Sequence, residues 1–535
     1  MKAKPRYDAI IIGGGHNGLT CACYLAAAGL KVRILERRGV VGGAAVTEEF
    51  LPGFRNSVAA YTVSLLNPKV LRDLRLAQHG LRILSRPLAN FLPLGQDNYL
   101  KVGGGLQQTQ REVARFSERD AARLPDYYRM LERVADVLRD MVLRTPPNIG
   151  GGIGDIARGF NAGNRLRKLD MPGRRDVLDL FAKSAGDVLD GWFESEPIKA
   201  AFGFDAIVGN FASPYTPGSA YVLLHHVFGE VNGIKGNWGH AVGGMGAITQ
   251  AMASEAERRG VEISLHAETA QVRVRRRKSI GVALADGTEI DARCVVSNLN
   301  PKLLYLKLVD AAELDADFLQ RIRGWKCASA TFRMNVALAE LPDFTCLPGK
   351  TTQTHHQSGI IMAPSLEYME RAYFDARTEG YSRAPVVEML IPSTVDDSLA
   401  PPGAHVASLF CQHFNPELPG GKTWDDVKDE AAERVIDTVT RYAPNFKAAV
   451  LGRMVLSPLD LERDFGLIGG DIFHGALSLD QLYSARPVLG FGDYRAPIKG
   501  LYMCGSGTHP GGGVTGAPGH NAAREIIRDF RRRVI

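Results

Sequence analysis

The sequence has few of the patterns that mark redox disulfides or metal clusters. Its 535 residues include only seven cysteines, and no two of them form a C-x-x-C pair. Cys21 and Cys23 lie one residue apart on a predicted helix, so they point to different faces. The odd number and the scatter of the cysteines favour reduced thiols inside a cell. The sequence therefore predicts neither a redox-active disulfide nor a metal site.

Long apolar runs are also scarce. Only the stretch Ala9–Leu30 is long enough to suggest a membrane span, and it contains His16, Asn17 and several glycines, which favour nucleotide binding instead. Six residues precede the first predicted strand, too few for a signal peptide. We expect a cytoplasmic protein, with peripheral membrane contact left open.

The charge of the chain has little excess of either sign. The 64 Lys and Arg residues stand against 58 Asp and Glu residues, and the net charge of +6 is spread along the chain. Such a weak excess excludes nucleic acid as an expected partner. Hydrophobic content of 45% and charged content of 23% are typical of a globular protein, and the length favours two domains.

The most informative stretch that is present is a βαβ unit between Tyr7 and Arg38. An apolar run leads into glycines at the G-x-G-x-x-G spacing, a helical run, a second apolar run and an acid. In order these are Ala9–Ile12, then Gly13, Gly15 and Gly18, then Leu19–Ala28, Val32–Leu35 and Glu36. Glycines at these positions allow a tight turn, close approach to a pyrophosphate and close helix–strand packing. Glu36 lies where an acid can bind ribose hydroxyls, so the unit predicts dinucleotide binding.

Two further glycine-rich stretches bear on which dinucleotide is bound. A loop with the pair Gly42-Gly43 follows Glu36, and it resembles the second fingerprint of FAD enzymes of the glutathione-reductase-like superfamily. Near the other end, a short strand at Leu501–Cys504 leads through a glycine-rich loop into a helix that starts near Ala517 or His520. The N–H groups of that helix can stabilise charge on a reduced flavin. No second unit of strand, G-x-G-x-x-G and helix is evident for NAD.

Taken together, both ends of the chain resemble one family. The segments GGGHNGL, GVVGGAAVTEEFLPGF and LYMCGSGTHPGGGVTGAPGHNAA are similar to the phytoene desaturase and retinol saturase branch of FAD-dependent oxidoreductases. The resemblance covers nearly the whole chain and implies FAD as the cofactor. It places cofactor contacts on Gly13, Gly15, Gly18, Glu36, Gly43, Val272, Gly505 and Val514. Neighbouring positions that complete the predicted site are His16, Asn17, Arg37, Gly42, Ala44, Ser506, Gly513 and Thr515.

The expected fold is α/β, with a Rossmann-type, glutathione-reductase-like FAD-binding domain in discontinuous segments. These segments are residues 1–85, 235–300 and 490–535, and a three-stranded antiparallel meander should lie between Val272 and Val296. Residues 86–234 and 301–489 should form an α+β substrate domain with a helical insertion at about 106–230. Within it, Gln107–Leu143 is predicted as one helix, and the glycine-rich segment 148–163 as a mobile loop, a lid or a plain surface loop.

The expected reaction is hydride transfer from a substrate C–H bond to flavin N5, which leaves a double bond in an apolar, isoprenoid- or acyl-like small molecule. An oxidase of a polar amine or alcohol is a second reading, although Ser506 stands where amine oxidases usually carry an acid. A flavin-stabilised scaffold that acts through protein partners is a third. His474, and more distantly His509, are candidates for acid–base work, although each can equally be a structural histidine.

The last helix offers a candidate membrane contact. Ile526, Phe530 and Val534 form one stripe on it, and five arginines stand against two acids from residue 521 onward. Basic amphipathic helices can lie on anionic membranes, but such a stripe more often packs on its own domain. Oligomerisation is left open.

Overall fold

The computed structural model describes residues 7–95, 97–327 and 329–535. The strands in these ranges are β1 (Tyr7–Ile12), β2 (Val32–Leu35), β3 (Thr47–Leu51), β4 (Phe54–Ser57), β5 (Ile83–Ser85), β6 (Asn90–Gly95), β7 (Asn98–Val102), β8 (Glu230–Val231), β9 (Ile234–Lys235), β10 (Gly239–Ala241), β11 (Glu262–Ser264), β12 (Thr269–Arg275), β13 (Lys278–Leu284), β14 (Glu289–Ser297), β15 (Phe332–Leu338), β16 (Gly359–Met362), β17 (Tyr381–Leu390), β18 (His405–Phe414), β19 (Val450–Leu456) and β20 (Leu501–Met503).

The α-helices in the same ranges are α1 (His16–Ala27), α2 (Pro68–Asp73), α3 (Leu106–Ala114), α4 (Glu118–Val142), α5 (Ile153–Arg167), α6 (Met171–Ala182), α7 (Ala185–Trp192), α8 (Glu196–Ile207), α9 (Ser219–His226), α10 (Gly246–Arg258), α11 (Pro301–Leu303), α12 (Ala316–Arg323), α13 (Leu366–Glu379), α14 (Trp424–Tyr442), α15 (Phe446–Ala449), α16 (Pro458–Phe465) and α17 (Ala517–Arg531). None of these helices has a stretch that is both long and apolar enough to cross a bilayer.

The first large sheet is assembled from three distant parts of the chain. Its strand order is β11-β2-β1-β14-β13-β12, with β20 beside β14. The pairs of β1 with β2, β1 with β14 and β14 with β20 are parallel, and β12, β13 and β14 form the predicted antiparallel meander. Five of the six residues of β1 are buried, as expected for a parallel strand with both faces covered. The predicted Rossmann-type α/β fold is confirmed.

The second large sheet has the order β19-β15-β18-β17-β16-β6-β7. All of its pairs are antiparallel except that of β16 with β6. Every residue of β15 is buried, and the apolar face of α14 packs on this sheet through Val427, Val435 and Val439. The second sheet and α14 therefore share one buried core.

A layer of helices, α3 to α9, lies between β7 and β8 in the chain. Its core contains Leu124, Tyr127, Leu131 and Val134 of α4. The single helix predicted over Gln107–Leu143 is wrong, because the chain breaks between α3 and α4. The Ser117 hydroxyl accepts a hydrogen bond from the Asp120 amide at 3.1 Å, so it caps a new helix there.

The glycine-rich segment 148–163 is largely helical rather than a loop, since α5 covers Ile153–Arg167. Its glycines lower helix propensity, but its charges favour a helix, with Asp155 in the first turn and Arg165 and Arg167 in the last. The loop predicted from the glycine content of this segment is therefore wrong.

The two ends of the chain pack tightly together through α1 and α17. A methyl group added to Gly519 of α17 would lie 2.2 Å from the Asn17 carbonyl oxygen of α1. Ile526 is fully buried in the core beneath α17, and Phe530 is partly buried against it, with the Arg293 guanidinium 4.4 Å from its ring. The apolar stripe of α17 thus packs on its own domain, apart from the exposed Val534.

We predict that Gly519→Ala destabilises the protein and weakens FAD binding, because the new methyl group pushes α17 away from α1. Overpacking of this kind costs about 1–3 kcal/mol. Gly163→Ala is the matched control, since Gly163 is also helical and has no atom within 4 Å of an added methyl group; it should stabilise slightly, by up to about 1 kcal/mol. Thermal unfolding and FAD titration measure both effects. Equal behaviour of the two variants would contradict the packing argument.

Candidate cofactor and substrate site

One large cavity lies at the carboxyl edge of the first sheet. It has a volume of about 430 Å³ and is lined by Ile12, Leu35 and Asn298, where β1, β2 and β14 end. Ser506, three residues beyond the end of β20, lines it from the other end of the chain. Ligands of open α/β sheets bind at this edge, so we call this space the cofactor cavity.

The N-terminus of α1 opens into the cofactor cavity. Gly15 caps the helix without a side-chain hydrogen bond, and its first turn carries no acid, so its amide groups remain available to an anion. Gly18 packs so closely on the turn that an added methyl group would lie 2.3 Å from the Gly13 carbonyl oxygen. Gly42 has φ +131°, and its amide donates to the Gly14 carbonyl at 2.9 Å, which brings the loop after β2 against the glycine turn.

Glu36 is held in place at the end of β2. Its carboxylate accepts hydrogen bonds from the Gly14 amide at 2.8 Å and the Arg38 amide at 2.9 Å, and it lines the cofactor cavity. Arg37 also lines the cavity, and its guanidinium donates to the carbonyls of Arg463 and Asp464 at 2.8 and 2.7 Å. These contacts join the loop after β2 to the C-terminal end of α16.

Several polar atoms at this cavity have no partner within the protein. The Asn17 Oδ1, Arg38 Nη1 and His474 Nδ1 atoms are buried and lack a hydrogen bond in the described part of the chain. A buried polar atom without a partner is costly, and a bound polar ligand would supply the missing partners. Together with the uncapped helix N-terminus, these atoms fit a dinucleotide.

The structure brings together most of the predicted cofactor residues. Those that line the cofactor cavity are Gly13, Gly15, His16, Asn17, Glu36, Arg37, Gly42, Gly43, Ala44 and Ser506. Gly513 and Val514 line a second, adjoining cavity, and the His16 Nε2 atom lies 3.1 Å from the Gly513 carbonyl oxygen.

The other predicted residues lie away from these cavities. Gly18 and Gly505 lie behind the loops, where an added methyl group would meet backbone oxygen atoms at 2.3 and 2.6 Å. The Thr515 hydroxyl accepts a hydrogen bond from the Ala517 amide at the start of α17, and Thr515 lines a separate cavity of about 200 Å³. Val272 is buried within the meander, and Thr269 of the same strand lines the cofactor cavity instead. Contacts of these residues with FAD stay predictions.

The second cavity, which we call the substrate cavity, is small and apolar. It has a volume of about 130 Å³ and shares His16, Ala44, Leu467, His474 and Ser506 with the cofactor cavity. The helical layer and the second sheet contribute to its wall, which includes Tyr61, Val208, Trp238, Phe410, Ile472 and Phe473. None of the described residues that line it is Asp, Glu, Lys or Arg.

The nearest charges are held behind two stacked rings. The Tyr61 and Phe410 rings stack at 4.6 Å, and the Arg333 guanidinium lies 4.8 Å from the centre of the Tyr61 ring. The Tyr61 hydroxyl donates to the Glu388 carboxylate. Burial raises the pKa of Glu388, while the nearby Arg86 and Arg333 oppose that shift. The Arg333 guanidinium donates to the Leu409 carbonyl and the Ser408 hydroxyl, and neither Arg333 nor Glu388 lines the cavity.

Sequence reasoning missed the residue that fixes the His474 loop. Arg486 is fully buried and donates hydrogen bonds at 2.8–3.2 Å to the carbonyls of Phe473, Gly475, Ala476, Gln481 and Ser506. Burial lowers the pKa of Arg486 to about 10, so its guanidinium stays charged at neutral pH. The sequence around Arg486 gives no local signal for this role, because the partners of Arg486 are backbone carbonyls.

The histidines around both cavities are neutral at physiological pH. Burial lowers the pKa of His16, His226, His474 and His509 to about 4. For His474, the nearby His16 and Arg486 add to this effect. His474 also has a left-handed backbone with φ +57°, which is uncommon outside glycine and clusters at functional sites. His509 lines neither cavity and lies 3.0 Å from the Met141 carbonyl oxygen.

Comparison with known proteins identifies the family to which the chain belongs. The family described as "Flavin containing amine oxidoreductase" matches residues 18–332. The chain is 42% identical over 548 residues to pyridine nucleotide-disulfide oxidoreductase domain-containing protein 2 of Rattus norvegicus, covering 99% of this chain and 94% of that protein. It is 25% identical to the lycopene-forming phytoene desaturase of Pseudescherichia vulneris, covering 98% and 99%.

The fold is shared with solved oxidase structures. Cyclohexylamine oxidase from Brevibacterium oxydans superposes with a TM-score of 0.55 at 16% identity, over 99% of this chain and all of that one. The chain belongs to the flavin-containing amine oxidoreductase family. It is a flavin-dependent oxidoreductase with FAD as its cofactor, and the predicted likeness to phytoene desaturases is confirmed at distant identity.

Because the buried histidines are neutral, we predict how the stability of the folded protein depends on pH. An unfolded histidine takes up a proton near pH 6.5, whereas the buried ones do so only near pH 4 or below. Besides the four named above, burial lowers the pKa of His225, His355 and His413 to about 3. The unfolded state therefore binds more protons between these limits, and stability should fall steeply as the pH drops from 6.5 towards 4.

Thermal unfolding of the FAD-loaded protein at stepped pH values measures this slope. Carboxylates with a lowered pKa contribute only below about pH 4.5, and in the window from 6.5 to 5 the seven histidines outweigh Asp205, whose pKa burial raises to about 8 and which opposes them by one proton. His413→Asn should flatten the slope, because His413 is buried and neither of its ring nitrogens has a hydrogen bond within the described ranges. The control is His266→Asn, since His266 is exposed and has a similar left-handed backbone. A midpoint that is constant over this window would overturn the assignment.

Proposed function

We propose that this oxidoreductase removes a hydride from a C–H bond of an apolar, isoprenoid- or acyl-like substrate and so introduces a double bond. The single observation that carries the proposal is the substrate cavity, which adjoins the cofactor cavity and has no charged side chain in its described wall. FAD, when bound, supplies the hydride acceptor. The protein's part is to bind the substrate, orient it and exclude water.

The polarity of the wall favours this substrate class over an amine. A protonated amine that enters an apolar cavity loses its hydration and needs a paired carboxylate to offset that loss. Glu388, a buried acid close to the wall, is already bonded to Tyr61 and flanked by two arginines. Burial raises the pKa of Asp205 to about 8, so this acid is neutral at pH 7. Neither group is available as a counter-ion.

Two comparisons bear on the same choice. Phytoene desaturase is named for an apolar isoprenoid substrate, and its similarity to this chain covers nearly the full length of both. Cyclohexylamine oxidase is named for an amine, but its 16% identity supports the shared fold alone. Of these two proteins, phytoene desaturase supports the apolar substrate, while the description of the family names amines.

Of the chain's own residues, His474 is the proposed partner for the substrate's proton. It lines both cavities, its Nδ1 atom has no hydrogen bond within the described chain, and its lowered pKa leaves the ring neutral. A neutral imidazole can accept a proton or a hydrogen bond from the reacting part of the substrate. Arg486 holds this loop through backbone carbonyls and acts as a positioning residue.

Anaerobic mixing with candidate donors tests the substrate class. We expect the flavin absorbance to bleach with isoprenoid hydrocarbons or acyl thioesters and to stay unchanged with putrescine or cyclohexylamine. Val208→Asp should abolish bleaching by the apolar donors while FAD remains bound, because Val208 lines only the substrate cavity. Bleaching by amines alone would overturn the proposal in favour of an amine oxidase. Failure of every donor would favour a non-catalytic scaffold.

A variant of His474 tests the role proposed for its side chain. His474→Ala should slow substrate-driven flavin reduction by roughly 10²-fold, the usual contribution of acid–base assistance, without loss of bound FAD. The matched control is His509→Ala, which removes a histidine of equally low pKa that lines neither cavity, so its reduction rate should not change. Stopped-flow absorbance gives both rates. Identical rates for wild type and His474→Ala would leave His474 with only a structural role.

A further inference from the structure

One part of the helical layer exposes far more apolar surface than the rest of the protein. Seventeen large apolar side chains are exposed in the described residues, and seven of them lie between residues 149 and 178. The most exposed of all are in this segment, with Ile149, Ile153, Ile156 and Phe160 at 69% to 86% exposure. Contiguous exposed apolar surface of this kind marks an interaction site, whereas isolated exposed side chains do not.

Three large apolar side chains of α5 share one face that points away from the protein. Ile153, Ile156 and Phe160 follow the i, i+3, i+7 spacing of a single helical face, and no residue of α5 is buried. The opposite face carries Arg158 and Arg165, which line a cleft of about 470 Å³ between α5 and the body of the protein. We call Ile149, Ile153, Ile156 and Phe160 the α5 stripe.

Among the described residues, polar contacts orient α5, and none of its residues is buried. The Asn148 amide donates to the Asp155 carboxylate at 2.7 Å, and Arg165 forms an ion pair with Asp140 of α4. These contacts orient the helix but bury none of its apolar side chains. Because its side chains are at least 69% exposed, the α5 stripe contributes little hydrophobic stabilisation to the protein, and burial against another apolar surface would be favourable.

Exposed cations accompany the apolar side chains. Arg167, Lys168, Arg174 and Arg175 are exposed, and none of them pairs with a carboxylate within the described ranges. On α6, Met171 and Leu178 stand one i, i+7 step apart and are exposed, with Arg174 and Arg175 between them on the same face. Apolar side chains thus alternate with unpaired positive charge over both helices.

We propose that α5 and the start of α6 dock this protein on an anionic lipid bilayer, with the α5 stripe inserted at the interface and the four cations against the headgroups. A helix with an apolar stripe and flanking Lys and Arg is the arrangement that lies in the bilayer plane. A second copy of this chain fits less well, because a two-fold contact would bring the same four cations of each copy together.

The docking surface adjoins the helices that wall the substrate cavity. The Phe181 ring of α6 lies 5.0 Å from the Tyr221 ring of α9, and α9 also supplies His226 to the cavity wall. A bilayer at α5 would hold apolar molecules close to these helices. The docking itself does not depend on the proposed reaction, and its test does not measure turnover.

The test is flotation of the FAD-loaded full chain with vesicles of phosphatidylcholine, with or without phosphatidylglycerol. We expect binding to the anionic vesicles that weakens in high salt, because exposed charges are screened. The triple variant Ile153→Gln, Ile156→Gln, Phe160→Gln should lower the partition coefficient roughly tenfold or more, since three apolar side chains no longer insert. Because α5 buries no residue, this variant should keep its fold and its FAD.

Two matched variants sharpen the test. Ile234→Gln with Phe374→Gln changes apolar residues that are 59% and 52% exposed outside this segment, and it should leave binding unchanged. Lys168→Gln with Arg175→Gln should weaken binding to anionic vesicles only. The proposal is overturned if the wild type does not float with anionic vesicles, or if the α5 variant floats equally well. It is also overturned if the α5 variant changes the molar mass in solution rather than vesicle binding, which would assign the stripe to contact between copies.

Discussion

The contact between α1 and α17 is the constraint on which the cofactor site depends. The two helices belong to opposite ends of the chain, and the absence of a side chain at Gly519 lets them meet at the Asn17 carbonyl. That approach lets the side-chain amide of Asn17 donate to the Ser506 hydroxyl at 3.1 Å, so the glycine turn after β1 and the loop after β20 face the same space. Each of the two segments supplies only part of the cofactor cavity wall.

A second constraint links the cofactor site to the rest of the protein. The Arg486 guanidinium binds carbonyls of the His474 loop and the Ser506 carbonyl at the same time. Its hydrogen bonds satisfy backbone groups that would otherwise be buried without partners. Because no carboxylate among the described residues bonds to this buried charge, the charge relies on the carbonyl dipoles, which fixes the geometry of the loop closely. The position of His474 between the two cavities follows from this anchor.

The sequence predicted the elements whose signals are local. The order of β1, the glycine turn, α1, β2 and Glu36 could be read directly, since each step has its own pattern. The helix break at Ser117 and the formation of α5 could not, because a cap and a run of glycines give weak and opposing signals. The apolar substrate cavity was also beyond reach, since Val208, Trp238, Phe410 and Ile472 are far apart in sequence and each has the pattern of a core residue.

The stripe of α17 and that of α5 show the same limit. Ile526 and Phe530 have the spacing and the flanking arginines expected of a membrane-binding helix, yet they pack against the core beneath α17. Ile153, Ile156 and Phe160 lie in a glycine-rich segment that was predicted as a loop or a lid, yet they form an exposed stripe on a helix. Periodicity predicts that a helix has an apolar face, but only the tertiary structure decides whether the protein itself covers that face. An amphipathic pattern is therefore informative about docking only when the packing around it is known.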